Sequence, residues 1–350
     1  MKTQQAAETA VILVNWNGRK FLQSCIDALY KNAGTPFTVV IVDNGSTDGS
    51  LEFIRSKYPD VQLIPLKENT GFARGNNIGF ESALRNPHIR YIACLNIDTE
   101  IRPNWLHHLV QRLEANEKTG MVTSKILFDN PPVIQSTGMF SAPDLGGFHR
   151  GTGMKPDEMN EANEVFAPCG ASFIVRREVI EECGAFDETL FSYGEDAEWG
   201  MRAHLYGWNV MYEPKSVVYH FHSQSSGAMS AFKTYYITRN QLLIAIKLFP
   251  WTVLLKKIAL LYRRFFAYMQ YAGNRKKSAG ANAAHSRKLS KPMMILTAMR
   301  GYGAAFLLAP TMLRKRRVIY STRKKSDMKD SMKRFTRDPS VEVRAYLKST

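Results

Sequence analysis

The sequence predicts an α/β fold, a mostly parallel sheet flanked by helices, followed by an α-helical basic C-terminal extension. Three observations predict it. Short β-branched runs alternate with stretches of helical period through the first hundred residues. Several of those runs break off into clusters of Asn, Asp and Gly, the residues that end strands in turns. The charge is divided as well. Residues 251–350 hold 24 Lys+Arg against 4 Asp+Glu, and residues 1–250 hold 23 against 27, within a net charge of +16.

The elements follow in order. Val11–Val14 reads as a buried strand running into Asn15-Trp16-Asn17-Gly18, and Phe21–Tyr30 has apolar residues at helical spacing. Phe37–Val42 is a second strand, stopped by Asp43-Asn44-Gly45-Ser46-Thr47-Asp48-Gly49. Ser50–Tyr58 reads as a helix, Val61–Pro65 as a strand and Gly71–Leu84 as a helix. Tyr91–Leu95 is a fourth strand, ending at Asn96-Ile97-Asp98. Strands alternating with helices give parallel pairing. Residues 131–163 are rich in Gly and Pro without clear periodicity, and read as a long loop with room for a short hairpin. Phe173–Arg176 is a strand, Glu178–Cys183 and Ala197–Tyr206 are helices, and Val217–Phe221 closes the domain.

Open α/β sheets bind ligands at the C-terminal ends of their strands. Three strand ends here deliver Asn15, Asp43 and Asp98 to one edge, although Asn and Asp also favour turns for their own sake. A carboxylate at Asp98 suits a divalent cation bridging a diphosphate, Mg2+ or Mn2+ by its preference for oxygen ligands. Glu195 and Asp196 open a helix, where the dipole favours carboxylates. Their adjacency also raises one pKa towards the range of a general base. His220 and His222 share one face of the last strand, and either is a metal-ligand candidate as well as an ordinary core histidine.

Other chemistries are excluded by spacing. Gly71, Gly75 and Gly79 recur every four residues, a pattern that suits close helix packing and lacks the dinucleotide G-x-G-x-x-G. Walker A, zinc and G-x-S-x-G patterns are absent. Cys25, Cys94, Cys169 and Cys183 show no C-x-x-C spacing and read as reduced thiols of a cytoplasmic protein. The polar N-terminus and the short run AVILVNW do not make a signal peptide.

The ordered set of motifs resembles glycosyltransferase family 2, in its bacterial rhamnosyltransferase-like branch, over about residues 9–245. The motifs are Val14-Asn15-Trp16-Asn17, Val42 to Ser50, Asn69 to Asn77, Leu95-Asn96-Ile97-Asp98, Cys169-Gly170-Ala171-Ser172, Phe186-Asp187-Glu188, Glu195-Asp196, Tyr235-Tyr236 and Arg239-Asn240. The resemblance implies a GT-A fold, Rossmann-like, with a nucleotide-sugar donor and a divalent cation. By that likeness Asp43 hydrogen-bonds a uracil or thymine ring. Asn15, Asn17, Asn44, Gly71, Arg74, Asn77, Asn96 and Ile97 line the nucleotide-sugar site. Gly170 and Ala171 flank the donor sugar and the acceptor. Asp98 stands at the second Asp of the family's D-x-D and implies the metal ligand, with Asn96 replacing the first. His220 is the second implied ligand, with His222 as the alternative. Asp196 corresponds to the catalytic base, with Glu195 beside it, and the implied chemistry is a single inverting displacement.

Beyond residue 245, Trp251–Gln270 reads as an amphipathic helix with Lys256, Lys257, Arg263 and Arg264 beside its apolar stripe. A second apolar stretch, Met293–Leu313, leads into Arg314-Lys315-Arg316-Arg317. Arg300 interrupts it, so no clean transmembrane helix is expected. Residues 246–320 are therefore expected to associate with an anionic membrane surface, or else to pack as helices on the catalytic domain with their charges in water. Residues 321–350 read as a basic, flexible tail. The expected acceptor is a glycan or lipid-linked glycan, and nucleic acid is not an expected partner. A nucleotidyltransferase is the first rival, although the loop after the first strand is poor in Gly. A nucleic-acid binder using the basic tail is the second.

Overall fold

The computed structural model describes residues 7–130, 132–141, 147–221, 230–254, 291–323 and 333–336. The first half alternates as its periodicity predicts: β1 (Thr9–Asn15), α1 (Arg19–Asn32), β2 (Thr38–Asp43), α2 (Ser50–Lys57), β3 (Gln62–Pro65), α3 (Gly71–Leu84) and β4 (Tyr91–Asn96). A short β5 (Thr99–Ile101), α4 (Trp105–Glu114) and a ten-residue β6 (Thr119–Phe128) come next. The region expected to be a loop contains β7 (Ile134–Ser136), β8 (Met139–Ser141), β9 (Gly147–His149) and β10 (Asn163–Glu164), with β8 and β9 paired as a hairpin. Then follow β11 (Ser172–Arg176), α5 (Arg177–Cys183), α6 (Glu195–Leu205), β12 (Asn209–His220), α7 (Ala231–Leu248) and α8 (Lys291–Thr322).

The main sheet runs β10-β12-β6-β11-β4-β1-β2-β3, with β5 on β12 and β7 on β6. β1, β2, β3 and β4 are parallel. β11 is antiparallel to both β4 and β6, so β6 and its parallel neighbour β12 point the same way as β1. Helices cover both faces. Along β1, Val11 and Leu13 pack with Leu22, Ile26 and Leu29 of α1 and Trp105 of α4, while Ala10 and Ile12 pack towards Ala73 and Phe80 of α3 and Trp199 of α6. This two-sided burial is why the strand reads as a continuous apolar run instead of an alternating one. The spaced glycines of α3 serve close packing: a Cβ at Gly79 would lie 2.4 Å from Ile12 Cγ2, and one at Gly75 2.9 Å from Val14 Cγ1.

Three differences from the sequence reading have physical reasons. β6 carries Gly120, Lys125 and the hydroxyl residues Thr119, Thr123 and Ser124 among its apolar ones, and all but its last residue are buried. Lys125 is accepted there because its Nζ donates to the carbonyls of Pro156 and Glu158 and to Asn160 Oδ1 at 2.6–3.0 Å. Secondly, α7 is one helix through residue 245, where the catalytic domain was expected to end. Thirdly, Arg300 does not interrupt the second apolar stretch. α8 continues unbroken through Arg300 and Pro310 for 32 residues, long and apolar enough by length and composition to cross a bilayer. Arg300 does not break it because its side chain lies on the exposed side. Of the expected Trp251–Gln270 helix, residues 251–254 are helical and the rest lie outside the described residues, as does most of the 321–350 tail.

Candidate active site

The common direction of β1, β2, β4, β6 and β12 puts Asn15, Asp43, Asn96, Phe128 and His220 at one sheet edge. β11, running the other way, brings its beginning to the same edge. Ser172 is opposite Leu95, and the Asn96 N–H donates to the Ala171 carbonyl at 3.0 Å. The strand topology therefore juxtaposes the Asn96-Ile97-Asp98 turn and the Gly170-Ala171 turn, although they are far apart in sequence.

The β1–β2 side is a network of neutral donors around one carboxylate. Asn15 Nδ2 donates to Asp43 Oδ2 at 2.7 Å and to Ser46 Oγ at 3.0 Å, and the Ser46 N–H donates to Asp43 Oδ1 at 3.0 Å. Asn17, in left-handed backbone at φ 52°, holds the same turn by accepting the Thr47 N–H at 2.8 Å. Asn15 Oδ1 is buried and has no hydrogen-bond partner, so it is an acceptor open to a ligand N–H. Asn44 is differently employed. Its amide donates to Asn69 Oδ1 and the Gly71 carbonyl and accepts the Thr70 N–H and hydroxyl, clamping the start of α3. Arg74 and Asn77, expected along the nucleoside, both reach Glu188. Arg74 Nη1 lies 2.9 Å from Glu188 Oε1 and 3.2 Å from Glu81, and Asn77 binds both Glu188 and the Phe186 backbone.

Across the edge, Asp98 meets the end of β12. His220 Nε2 is 3.1 Å from Asp98 Oδ1, and His220 Nδ1 is 2.9 Å from Gln135 Oε1 on β7. Each ring nitrogen of His220 thus faces an oxygen, Gln135 Oε1 on one side and Asp98 Oδ1 on the other. Octahedral ligands about 2.1 Å from Mg2+ or Mn2+ stand roughly 3 Å apart, so the pair suits two neighbouring positions on such an ion. Among the described residues no group of three or more His, Cys, Asp and Glu side chains gathers to hold a metal. His222, the alternative ligand, lies outside the described residues.

α6 begins at Glu195, after Gly194 in left-handed backbone at φ 93°. Asp196 Oδ2 accepts the Gly170 N–H at 2.9 Å, and Oδ1 accepts the Ala197 N–H at 2.8 Å. Asp196 is thereby tied to the beginning of β11 and so to the Asn96 turn. Glu195 is buried, with Oε2 lacking a hydrogen-bond partner. Burial, and then the neighbouring Asp196 charge, push its carboxyl up to about 8. The two carboxyls thus differ in surroundings: Asp196 accepts two backbone N–H groups, while Glu195 is buried with one oxygen unpartnered.

Residues that no motif indicated complete the surroundings. His149 Nδ1 is 3.0 Å from Ser136 Oγ, and burial lowers its pKa while the Asp196 carboxylate opposes that shift. Gln135, Ser136 and His149 come from the short strands of the expected loop, where they carry no periodic signal. The loop before α6 is held from behind. Arg239 Nη2 donates to the carbonyls of Thr189 and Leu190, and Asn240 Nδ2 to those of Leu190, Ser192 and Tyr193, all at 2.7–2.9 Å. This gives the Arg239-Asn240 motif a positioning task, and it supports Phe191 and Tyr193 at φ 63° and 69°.

Asp43 with its hydrogen-bonded turn, the Asp98–His220 pair, and Asp196 tied to Gly170 thus gather at the edge of the sheet where ligands bind in open α/β folds. The model of Glycosyl transferase family 2 matches residues 10–184, and the chain belongs to that family. It is 25% identical over 236 residues to the N-acetylglucosaminyl-diphospho-decaprenol L-rhamnosyltransferase of Mycobacterium tuberculosis, covering 62% of this chain and 77% of that protein. It is 20% identical over 228 residues to the poly-beta-1,6-N-acetyl-D-glucosamine synthase of Staphylococcus epidermidis, covering 65% and 53%. Among solved structures, S. aureus TarS 1–349 with UDP-GlcNAc aligns at a TM-score of 0.55 and 16% identity over 98% of this chain and 90% of that one. GalNAc-T7 with UDP, GalNAc and Mn2+ aligns at 0.56 and 16% over 84% and 55%. The fold is that of the GT-A glycosyltransferases.

Proposed function

We propose that the protein is an inverting, metal-dependent hexosyltransferase. It moves a sugar, with rhamnose the first candidate, from a UDP- or dTDP-sugar to a hydroxyl of a glycan or lipid-linked glycan. The setting is cell-surface polysaccharide synthesis, with the enzyme peripheral on the inner face of the membrane. The rhamnosyltransferase and synthase names of the relatives support the setting, and the nucleotides in the structural neighbours support the donor class. The observation that carries the reading is the Asp196–Gly170 hydrogen bond, which ties a hydrogen-bonded carboxylate to the turn beside Asn96 and Asp98.

In this reading the base lies in the recess at Asp43, and the orphaned Asn15 Oδ1 accepts a ring N–H. Asp196 takes the proton of the acceptor hydroxyl, whose oxygen attacks the anomeric carbon as the bond to the diphosphate breaks on the opposite face. Glu195 stands beside Asp196 with its own carboxyl pushed up by burial and by the Asp196 charge. A divalent cation, when bound by Asp98 and His220, supplies positive charge against the departing diphosphate.

The test is release of nucleoside diphosphate from a panel of UDP-, dTDP- and GDP-sugars with Mn2+ or Mg2+. One donor should be turned over. Asp196→Asn should lower turnover by about 10²–10⁴ while keeping nucleotide binding. Asp98→Ala should abolish metal-dependent binding by calorimetry. Wild-type rates in both variants would sink the proposal.

A further inference from the structure

Of the thirteen large hydrophobic side chains exposed among the described residues, all but Trp16 and Tyr30 lie between Phe232 and Val318. Most are on α8, and they are not scattered. One face of α8, with Met294, Ala298, Gly301, Ala305, Met312 and Ile319, is buried. A Cβ at Gly301 would stand 2.9 Å from the Tyr235 carbonyl of α7. Further along, Arg316 Nη1 donates to the Phe249 carbonyl at 2.6 Å and Tyr320 Oη to the Leu248 carbonyl at 2.8 Å. The opposite face turns Leu296, Met299, Phe306 and Leu307 to solvent, with Met299 63%, Phe306 69% and Leu307 84% exposed.

The charge on that face has one sign. Arg300, Arg314 and Arg317 are exposed on α8. Between Glu213 and Asp327 the chain contains no Asp or Glu. An apolar stripe flanked only by cations matches a bilayer surface of negative headgroups, into which the stripe sinks while the guanidinium groups stay at headgroup level.

We infer that the outer face of α8 is a docking surface for an anionic phospholipid bilayer, on which the helix lies flat. This rests on the membrane-peripheral reading above and names the surface responsible. Although α8 is long enough to span, it is packed along α7, and α7 carries the Arg239-Asn240 hold on the loop before Glu195. Crossing the bilayer would carry that loop with it. Lying flat does not, and it keeps the acceptor side near the lipid. Phe232, at the first turn of α7 and exposed, has its ring 6.2 Å from those of both Phe191 and Tyr193, just ahead of the Glu195–Asp196 pair.

The test is flotation of the full chain with phosphatidylcholine vesicles made with and without phosphatidylglycerol. The bound fraction should rise about tenfold with phosphatidylglycerol and fall again at high salt. The double variant Phe306→Glu/Leu307→Glu should lose about tenfold in binding to the anionic vesicles. Arg314→Gln/Arg317→Gln should lose the preference for phosphatidylglycerol. Circular dichroism and donor hydrolysis in vesicle-free solution, both unchanged in the variants, separate loss of docking from loss of fold. Binding of Phe306→Glu/Leu307→Glu at the wild-type level overturns the inference. So does a wild-type dimer that this variant dissolves, since the face would then belong to a second copy. If the wild type ignores both vesicles yet still releases nucleoside diphosphate, the surface assignment fails and the glycosyltransferase reading stands.

Discussion

The two sides of the site are held by different forces. The donor side, from β1 to α3, uses mainly amides, hydroxyls and backbone N–H groups, gathered on the carboxylates of Asp43 and Asp48. The side beyond α6 uses buried ions. Lys247 Nζ lies 2.6 Å from Asp187 and 2.7 Å from Glu198, and Arg202 pairs with Glu198 at 2.8 Å. Lys315, from α8, closes the cluster on Asp187. Neutral hydrogen bonds cost little to bury and fix a turn locally. Ion pairs carry a large desolvation cost and tolerate no missing partner, so they join distant segments all-or-none. The comparison predicts that the donor side tolerates single losses and the ionic side does not.

The largest break should come from Lys247→Met. It strands Asp187 and Glu198 as buried, under-compensated carboxylates, and urea denaturation should show a loss of about 3–5 kcal/mol. The pH dependence sharpens this. Lys247 and Lys315 hold the Asp187 carboxyl far below its usual range against its burial, and Arg202 and Lys247 lower that of Glu198. Their folded pKa values lie below the unfolded ones, so this stabilisation is complete above the unfolded values near 4 and is lost as pH falls below them. Wild type should therefore be more acid-labile than Lys247→Met is relative to its own neutral stability.

Glu195 works with the opposite sign. Its pKa is raised from 4.5 to about 8, so between those values the folded state binds a proton that the unfolded state has released. Stability falls as pH rises through that window. Glu195→Gln removes the penalty, and at pH 8 it should be more stable than wild type by several kcal/mol, on the order of 4. At pH 4.5 the two should melt together. A wild-type melting temperature that does not fall from pH 5 to pH 8 would contradict the buried, neutral Glu195.

On the donor side a smaller effect is expected. Asn44→Ala deletes four hydrogen bonds but leaves groups close to solvent, and should cost about 1–3 kcal/mol with m unchanged. A loss as large as that of Lys247→Met would erase the contrast between the two sides.

The same contrast governs what was legible in the sequence. Asn15, Asp43 and Asp98 stand where a buried β-branched strand gives way to turn residues, so strand direction alone brings them together. Glu195 and Asp196 announce a helix start. Gln135 and His149 do not show, because their strands are three residues long and take their place from pairing or contact with distant segments. Nor was Arg74's engagement with Glu188 legible: the two are 114 residues apart, and a charge pair has no period. The burial of Lys247 against Asp187 and Glu198 carries no sequence signal for the same reason. The burial pattern of α8, by contrast, was latent in its sequence, since Met294, Ala298, Gly301, Ala305, Met312, Arg316 and Ile319 recur every three, four or seven residues.

Lys315 gives the finest division of the comparison, because it belongs to both schemes. Its side chain is 36% exposed while Asp187 is almost wholly buried, so water already screens part of the pair. Asp187 also keeps Lys247 when Lys315 is removed. Lys315→Ala should therefore cost about 1 kcal/mol or less, far below Lys247→Met. Its effect should be local. α8 loses its one charged tie to the turn before Glu188 but keeps Arg316 on the Phe249 carbonyl. Hydrogen exchange should rise in residues 187–190 and around 315, with the global melting temperature nearly constant. A global loss instead would mean that α8 is part of the cooperative core, and that the two sides of the site unfold as one unit.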